Sequence, residues 1–378
     1  MKTPLSLRPG FGRTALAGIL LAASVGFPAS AAVPVSEPRT TFQPYNARFG
    51  RERPVIAVVG ENRGTELTDF VIPYAVLSQS GAAEMVAVAT AAGPMTMRPA
   101  LSLQPEATVA QFDERFPQGA DYVIVPAVVN SDEPGLLAWI VSQHARGATI
   151  VSICDGALVV ANAGLMRDRQ ATAHWATQKL REWRYPETNW LRNKRYVIDG
   201  PIVSSAGISA AIPVSIALVE TIAGTRAAAR LGASMGVTDW SATHDSEVFR
   251  PKLGVNLRAF AATYLTNGWF HRTDRVGIAV DPGVDDLALA MTADAYSRTG
   301  RSQAFAFAAS RAPTRTRAGL VVLPEQAIPL TNERTLPALH YGPGRPLFDH
   351  VLASIETRYG RSTARGVALA FEYPRPVK

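Results

Sequence analysis

The chain of 378 residues contains one cysteine, Cys154, and that scarcity excludes an internal disulfide. Charged residues are only 18% of the chain and its arginines are scattered, so a nucleic-acid-binding footprint is missing. No stretch of about 18 uninterrupted apolar residues offers a transmembrane anchor. Walker A, GxGxxG, CxxC and HExxH patterns are absent too. No cofactor and no metal is expected.

What is present begins with an export pattern. Lys2, Arg8 and Arg13 precede an apolar run from Ala15 to Val25, and Ala29-Ser30-Ala31 forms a small-residue cleavage signal before Ala32. Residues 1–31 read as a signal peptide, which places the mature protein in the periplasm or outside the cell, free of the membrane after cleavage. Removing those three basic residues lowers the net charge from +7 to +4, a mild excess. In an oxidising compartment a lone cysteine is either a buried inert thiol or a chemically used one.

Residues 32–52 lack periodicity and read as an exposed leader. From Arg53, short apolar runs (VIAVV, MVAVAT, YVIVPA, TIVSIC) alternate with amphipathic segments, which predicts an α/β fold with a parallel sheet sandwiched by helices. The chain also repeats itself. RPVIAVV at Arg53 returns as RVGIAVD at Arg275, and TAAGPMTMRPALSLQPE, ending at Glu106, returns 219 residues later as ASRAPTRTRAGLVVLPE, ending at Glu325. VSIALVETIAG, ending at Gly224, is echoed by HVLASIETRYG, ending at Gly360. The expected organisation is a first unit over 53–238, a helical connector over 239–274 with a helix near Leu257 to Trp269, and a truncated second copy over 275–378. That copy has no counterpart of Cys154, and Asp285 and Asp286 stand in it where the first unit has Thr68 and Asp69. A structural role is expected for it.

TIVSICDGALVVANAGL places a buried strand before Cys154 and a helix after it, with Gly156 permitting a sharp turn. A thiol at a helix N-terminus is expected to have a lowered pKa, although Asp155 beside it opposes a second negative charge. Asp69, in TELTDFVIP, falls at the crossover after the first strand and so at the same carboxyl edge of the sheet. His174, in RQATAHW, suits proton transfer near neutral pH. Each has a plainer reading: Cys154 as core, Asp69 as a helix cap in rivalry with Thr68, and His174 packed beside Trp175. His244 and Asp245 invite a metal reading with His174, but the spacing matches no strong zinc signature.

The elbow SICDGALVVANAGL and RQATAHW, with TDFVIPYAVLSQSG and SSAGISAAIPVSIALVETIAG, resemble the ThiJ/PfpI superfamily over about Arg53 to Gly236. The resemblance implies a flavodoxin-like, class I glutamine amidotransferase-like fold. It also implies that Cys154 is the reactive residue, that Asp69 bonds its sulfur and that His174 stands beside it. Family proteases carry histidine directly after the cysteine, and Asp155 there argues against peptidase activity. The family's Gly-Gly after the YVIVP strand is here Ala127-Val128, whose backbone N–H groups remain candidates for an oxyanion site. The expected activity is that of a cysteine hydratase, hydrolase or glyoxalase acting on a small electrophile. The alternative is a redox-sensing, stress-protective or ligand-binding module in which Cys154 is oxidised to a sulfinate bonded to protonated Asp69. The expected partner is a small molecule, with a homodimer left open.

Overall fold

Runs such as VIAVVG carry an apolar side chain at nearly every position, so a strand built from one must be covered on both faces. Strand Val55–Gly60 is buried at all six positions, in the computed structural model, which describes residues 41–261, 263, 267, 271–328, 334–336 and 346–374. The seven-stranded sheet runs in the order Tyr196–Asp199, Ile202–Ser205, Thr149–Ser152, Tyr122–Val125, Val55–Gly60, Glu84–Ala89, Ala107–Thr108. Every neighbouring pair is parallel except the first, which is antiparallel. The five strands from Glu84–Ala89 through Ile202–Ser205 follow the flavodoxin-like order 2-1-3-4-5, and the fold is α/β with helices over the sheet. In this order the chain reverses direction between the Val55 and Tyr122 strands, and the crevice at their carboxyl ends is where such folds bind ligands.

The described residues cluster as one compact unit. Strands Arg334–Leu336, Asp274–Ala279 and Ser302–Phe307 form a second parallel sheet. Its crossover helix, Asp286–Ser297, packs on the first crossover helix, Leu67–Ser80. A continuous apolar cluster joins them, running from Ile56 and Phe70 through Leu287 and Tyr296 to Phe371. Strand Ser102–Gln104 pairs antiparallel with Val321–Val322, in a register that sets Leu103 against Val322. Those two residues are 219 positions apart and are each other's repeat mates, so a local pseudo-twofold axis passes between them.

Residues 41–52 are exposed or half-buried, as expected of a leader, but they are anchored on the first unit: the Phe42 ring lies 6.3 Å from that of Tyr196, Tyr45 N–H donates to Thr221 O at 3.5 Å, and Arg51 pairs with Asp121 at 2.7 Å. Apolar side chains with a core edge within reach leave water. The helix expected near Leu257 to Trp269 is seen over Leu257–Ala261, and most of its remainder lies outside the described residues, as do the signal segment 1–31 and the leader up to residue 40. Among the described residues no helix is long and apolar enough to cross a membrane.

Candidate active site

The elbow forms because strand Thr149–Ser152 ends against its neighbour and helix Gly156–Asn162 starts at once. Ile153 N–H donates to Val125 O at 3.0 Å, and Gly156 N–H turns back to Ile153 O at 2.8 Å. Between them Cys154 takes φ +54°, a left-handed conformation that costs a non-glycine residue about 1 kcal/mol. Gly156 is required for a different reason from the expected freedom of turn: a Cβ there would lie 2.0 Å from Val125 O. The strain therefore sits on the cysteine, as in a nucleophile elbow.

Asp69 is the third residue of the crossover helix and is fully buried. Its Oδ2 accepts the Ala127 N–H at 3.2 Å, while Oδ1 has no hydrogen-bond partner, so the expected bond from Asp69 to the Cys154 sulfur is not made: the carboxyl is turned to the Ala127 backbone instead. Burial pushes the Asp69 carboxyl well above the usual range, partly offset by the Ala127 bond and by Arg298, with Asp294 and Asp155 adding to the rise. Because Ala127 N–H is spent on Asp69, it is not open to a substrate oxyanion, which corrects one expectation. Val128 lies in an antiparallel bridge with Thr65, holding the loop against the crossover.

The thiol is not activated as the elbow suggested. Cys154 is 7% exposed, and burial first, then the charges of Asp69, Asp155, Glu66 and Glu372, push its pKa well above the ordinary value. A seven-residue helix offers a modest dipole, and four carboxylates around a buried sulfur outweigh it. Asp155, at the N-cap position, makes no capping bond and instead accepts the Thr177 hydroxyl at 2.6 Å.

His174 is brought to this rim but is fully engaged. Its Nδ1 accepts Ala176 N–H at 3.3 Å and its Nε2 lies 3.0 Å from Ala370 O, an arrangement that puts the ring proton on Nε2. Its ring also packs on Trp175, with centroids 5.4 Å apart. The plainer reading of this residue describes its geometry. His244 is committed to Glu372 at 2.8 Å, and Asp245 caps the short helix Ser246–Phe249 by accepting Glu247 N–H. Among the described residues no group of side chains is placed to hold a metal ion.

Two residues at the site escaped sequence reasoning. Arg181 is buried and donates to Thr177 Oγ1 and to His174 O; burial lowers its pKa to about 10 against the pull of Asp155 and Glu372, so it remains a cation below that range. Glu372, from the second unit, accepts Trp175 N–H at 2.7 Å. No motif marks either one, because each reaches the site through tertiary packing. A cavity of about 270 Å³ lies nearby, lined in part by Ser209, Ile212, His244, Met291, Phe348 and Phe371, but Cys154 does not border it.

With this geometry in view, residues 55–221 match the DJ-1/PfpI family profile. The chain is 30% identical over 161 residues to an isonitrile hydratase of Pseudomonas putida, a match covering 41% of this chain and 67% of that one. It is 32% identical over 98 residues to the HTH-type transcriptional regulator CdhR of Pseudomonas aeruginosa, covering 26% of this chain and 29% of the regulator. The chain thus spans under a third of that relative. Among solved structures, Drosophila melanogaster DJ-1beta superposes with a TM-score of 0.45 at 19% identity, covering 50% of this chain and 100% of that one.

Proposed function

The chain belongs to the DJ-1/PfpI family, and from that premise we propose that it is an exported cysteine-dependent hydratase acting on a small electrophilic carbon, such as that of an isonitrile. The observation that carries this reading is a strained, buried Cys154 in the field of a buried Asp69 whose Oδ1 has no hydrogen-bond partner. Burial penalises two charges at once, so thiol and carboxyl hold at least one proton between them at neutral pH. A carboxyl with a raised pKa is the better general base. As the sulfur attacks the substrate carbon, the S–H proton passes to Asp69. Asp69 then returns it to the substrate carbon, leaving, for an isonitrile, a covalent thioimidate. Water adds to that carbon, the C–S bond breaks, and the sulfur recovers a proton; the sum is substrate plus water.

The test is turnover of a panel of small isonitriles and aldehydes by the wild type, Cys154→Ser and Asp69→Asn. Hydration by the wild type that Cys154→Ser abolishes supports the reading. Wild-type turnover retained in Cys154→Ser would overturn it. Export rests on the pattern from Lys2 to Ala31, and secreted material should begin at Ala32 on N-terminal sequencing.

The raised carboxyl of Asp69 also favours a second reading, a redox sensor. Two equivalents of hydrogen peroxide would convert the Cys154 thiol to a sulfinate, each losing one oxygen to sulfur and leaving as water, with protonated Asp69 donating to the product. Intact mass after peroxide separates the two: stable gain of two oxygen atoms without turnover of any electrophile favours the sensor.

A further inference from the structure

The second unit's last two helices copy the first unit's: Leu347–Tyr359 and Arg361–Ala370 repeat Ala211–Ala223 and Thr225–Ser234 at an offset of 136 residues. Both pairs end in the same motif. In the first, Val237 N–H donates to Gly232 O at 2.8 Å and Gly236 N–H to Ala233 O at 3.2 Å; in the second, Tyr373 N–H donates to Ala368 O at 2.9 Å and Glu372 N–H to Leu369 O at 3.2 Å. This is a Schellman cap, which needs a left-handed residue and normally takes glycine there. The first copy has Gly236 at φ +70°, whereas the second has Glu372 at φ +51°. A glutamate in this position is strained, and strain that persists is held by its surroundings.

Those surroundings belong to the first unit and the connector. Glu372 is fully buried; its Oε1 accepts Trp175 N–H at 2.7 Å, its Oε2 accepts His244 Nε2–H at 2.8 Å, and its backbone O accepts the Ser209 hydroxyl at 2.7 Å. His174 Nε2 lies 3.9 Å from Oε1. At Gly207 an added Cβ would come within 2.6 Å of His174 Cδ2 and 2.7 Å of Glu372 Cγ and Cδ, so this corner is closed around the glutamate.

We propose that Glu372 is a positioning residue of the cysteine site, delivered by the second unit, which fixes the His174-Trp175 corner and, through the Thr177 hydroxyl that reaches both His174 O and the Asp155 carboxylate beside Cys154, the charge around the thiol. This deepens the cysteine-enzyme reading and rests on it. The charged groups facing the thiol are Asp69 and Glu66 from the crossover, Asp155 from the elbow, Arg181 from the following helix and Glu372 from the second unit. Those facing Glu372 are His174, His244 and Arg181. Its carboxyl stays below the usual range, held there by the His244 bond and both histidines against burial. An ionised Glu372 therefore opposes thiolate formation.

The test is the rate of Cys154 alkylation by iodoacetamide in the full chain from pH 6 to 10, followed by intact mass, for the wild type, Glu372→Gln and Glu372→Gly. The glutamine keeps the volume and removes the charge; the glycine restores the residue that ends the equivalent first-unit helix, so both retain a route to the native fold. Both should alkylate roughly two- to fivefold faster at pH 8, with the profile displaced to lower pH. Wild-type rates in both variants would overturn the proposal. Acceleration in the glycine variant alone would also overturn it, because that result reads access and not charge. Alkylation needs no substrate, so failure here leaves the hydratase reading standing, and loss of that reading leaves this result standing.

Discussion

At Cys154 backbone strain and solvation act on different properties of one residue. The left-handed φ aims the thiol, while burial and four carboxylates keep it protonated. Because the thiol pKa is raised, the thiolate fraction stays small below the ordinary value and grows as pH rises, so the alkylation rate should climb through pH 9 with no plateau beneath it. A plateau near neutral pH would show a lowered thiol and contradict this electrostatic account. Asp69→Asn removes the carboxylate that stands first among the charges on the sulfur. It should raise alkylation several-fold at pH 8 while lowering turnover at least tenfold, on the order expected for losing a general base. Parallel changes in the two rates would separate Asp69 from proton transfer.

Helix Leu67–Ser80 and its copy Asp286–Ser297 show one element serving two ends. In the copy, Asp285 is the N-cap and its side chain accepts Ala288 N–H at 2.9 Å. In the first unit the N-cap is Glu66, which makes no capping bond and pairs instead with Arg298. The structure thus aligns Asp285 with Glu66 and Asp286 with Leu67, not with Thr68 and Asp69 as the motif suggested, because both helices begin at the residue after the cap. Asp286 is satisfied by the Thr316 hydroxyl and by Ala318 N–H, and it anchors the strand turn of its own unit. Asp286→Asn should cost about 1–3 kcal/mol in urea unfolding, the range for a compromised buried hydrogen-bonded group, and leave Cys154 alkylation unchanged. A change in alkylation would draw Asp286 into the site.

Across the whole molecule the second unit is built into the first. It supplies Arg298 to the half-buried Glu66 and to the buried Asp294, Asp294 to the Thr68 hydroxyl at 2.7 Å, the strand opposite Ser102–Gln104, and Glu372. Truncation after Asp274 would take the cation from Glu66, bare the apolar face of helix Leu67–Ser80 that Asp286–Ser297 covers, and leave a strand edge unpaired, the last two unfavourable in water. The fragment should aggregate on size exclusion or melt well below the full chain. Equal solubility and heat resistance would make the second unit dispensable to the fold.

The order of apolar runs determined the α/β sheet, the elbow and the place of Cys154 and Asp69 at one edge, since these follow from hydrophobic patterning and from neighbours in the chain. The repeat was legible for the same reason, as a copied pattern of apolar positions. Tertiary structure alone decided the thiol's ionisation, the engagement of His174 and the arrival of Arg181 and Glu372. Those depend on desolvation and on charges from residues as distant as Glu372, 218 positions beyond Cys154 in the chain. A local motif carries an orientation; the field acting on it is the sum over everything the fold brings within a few ångströms.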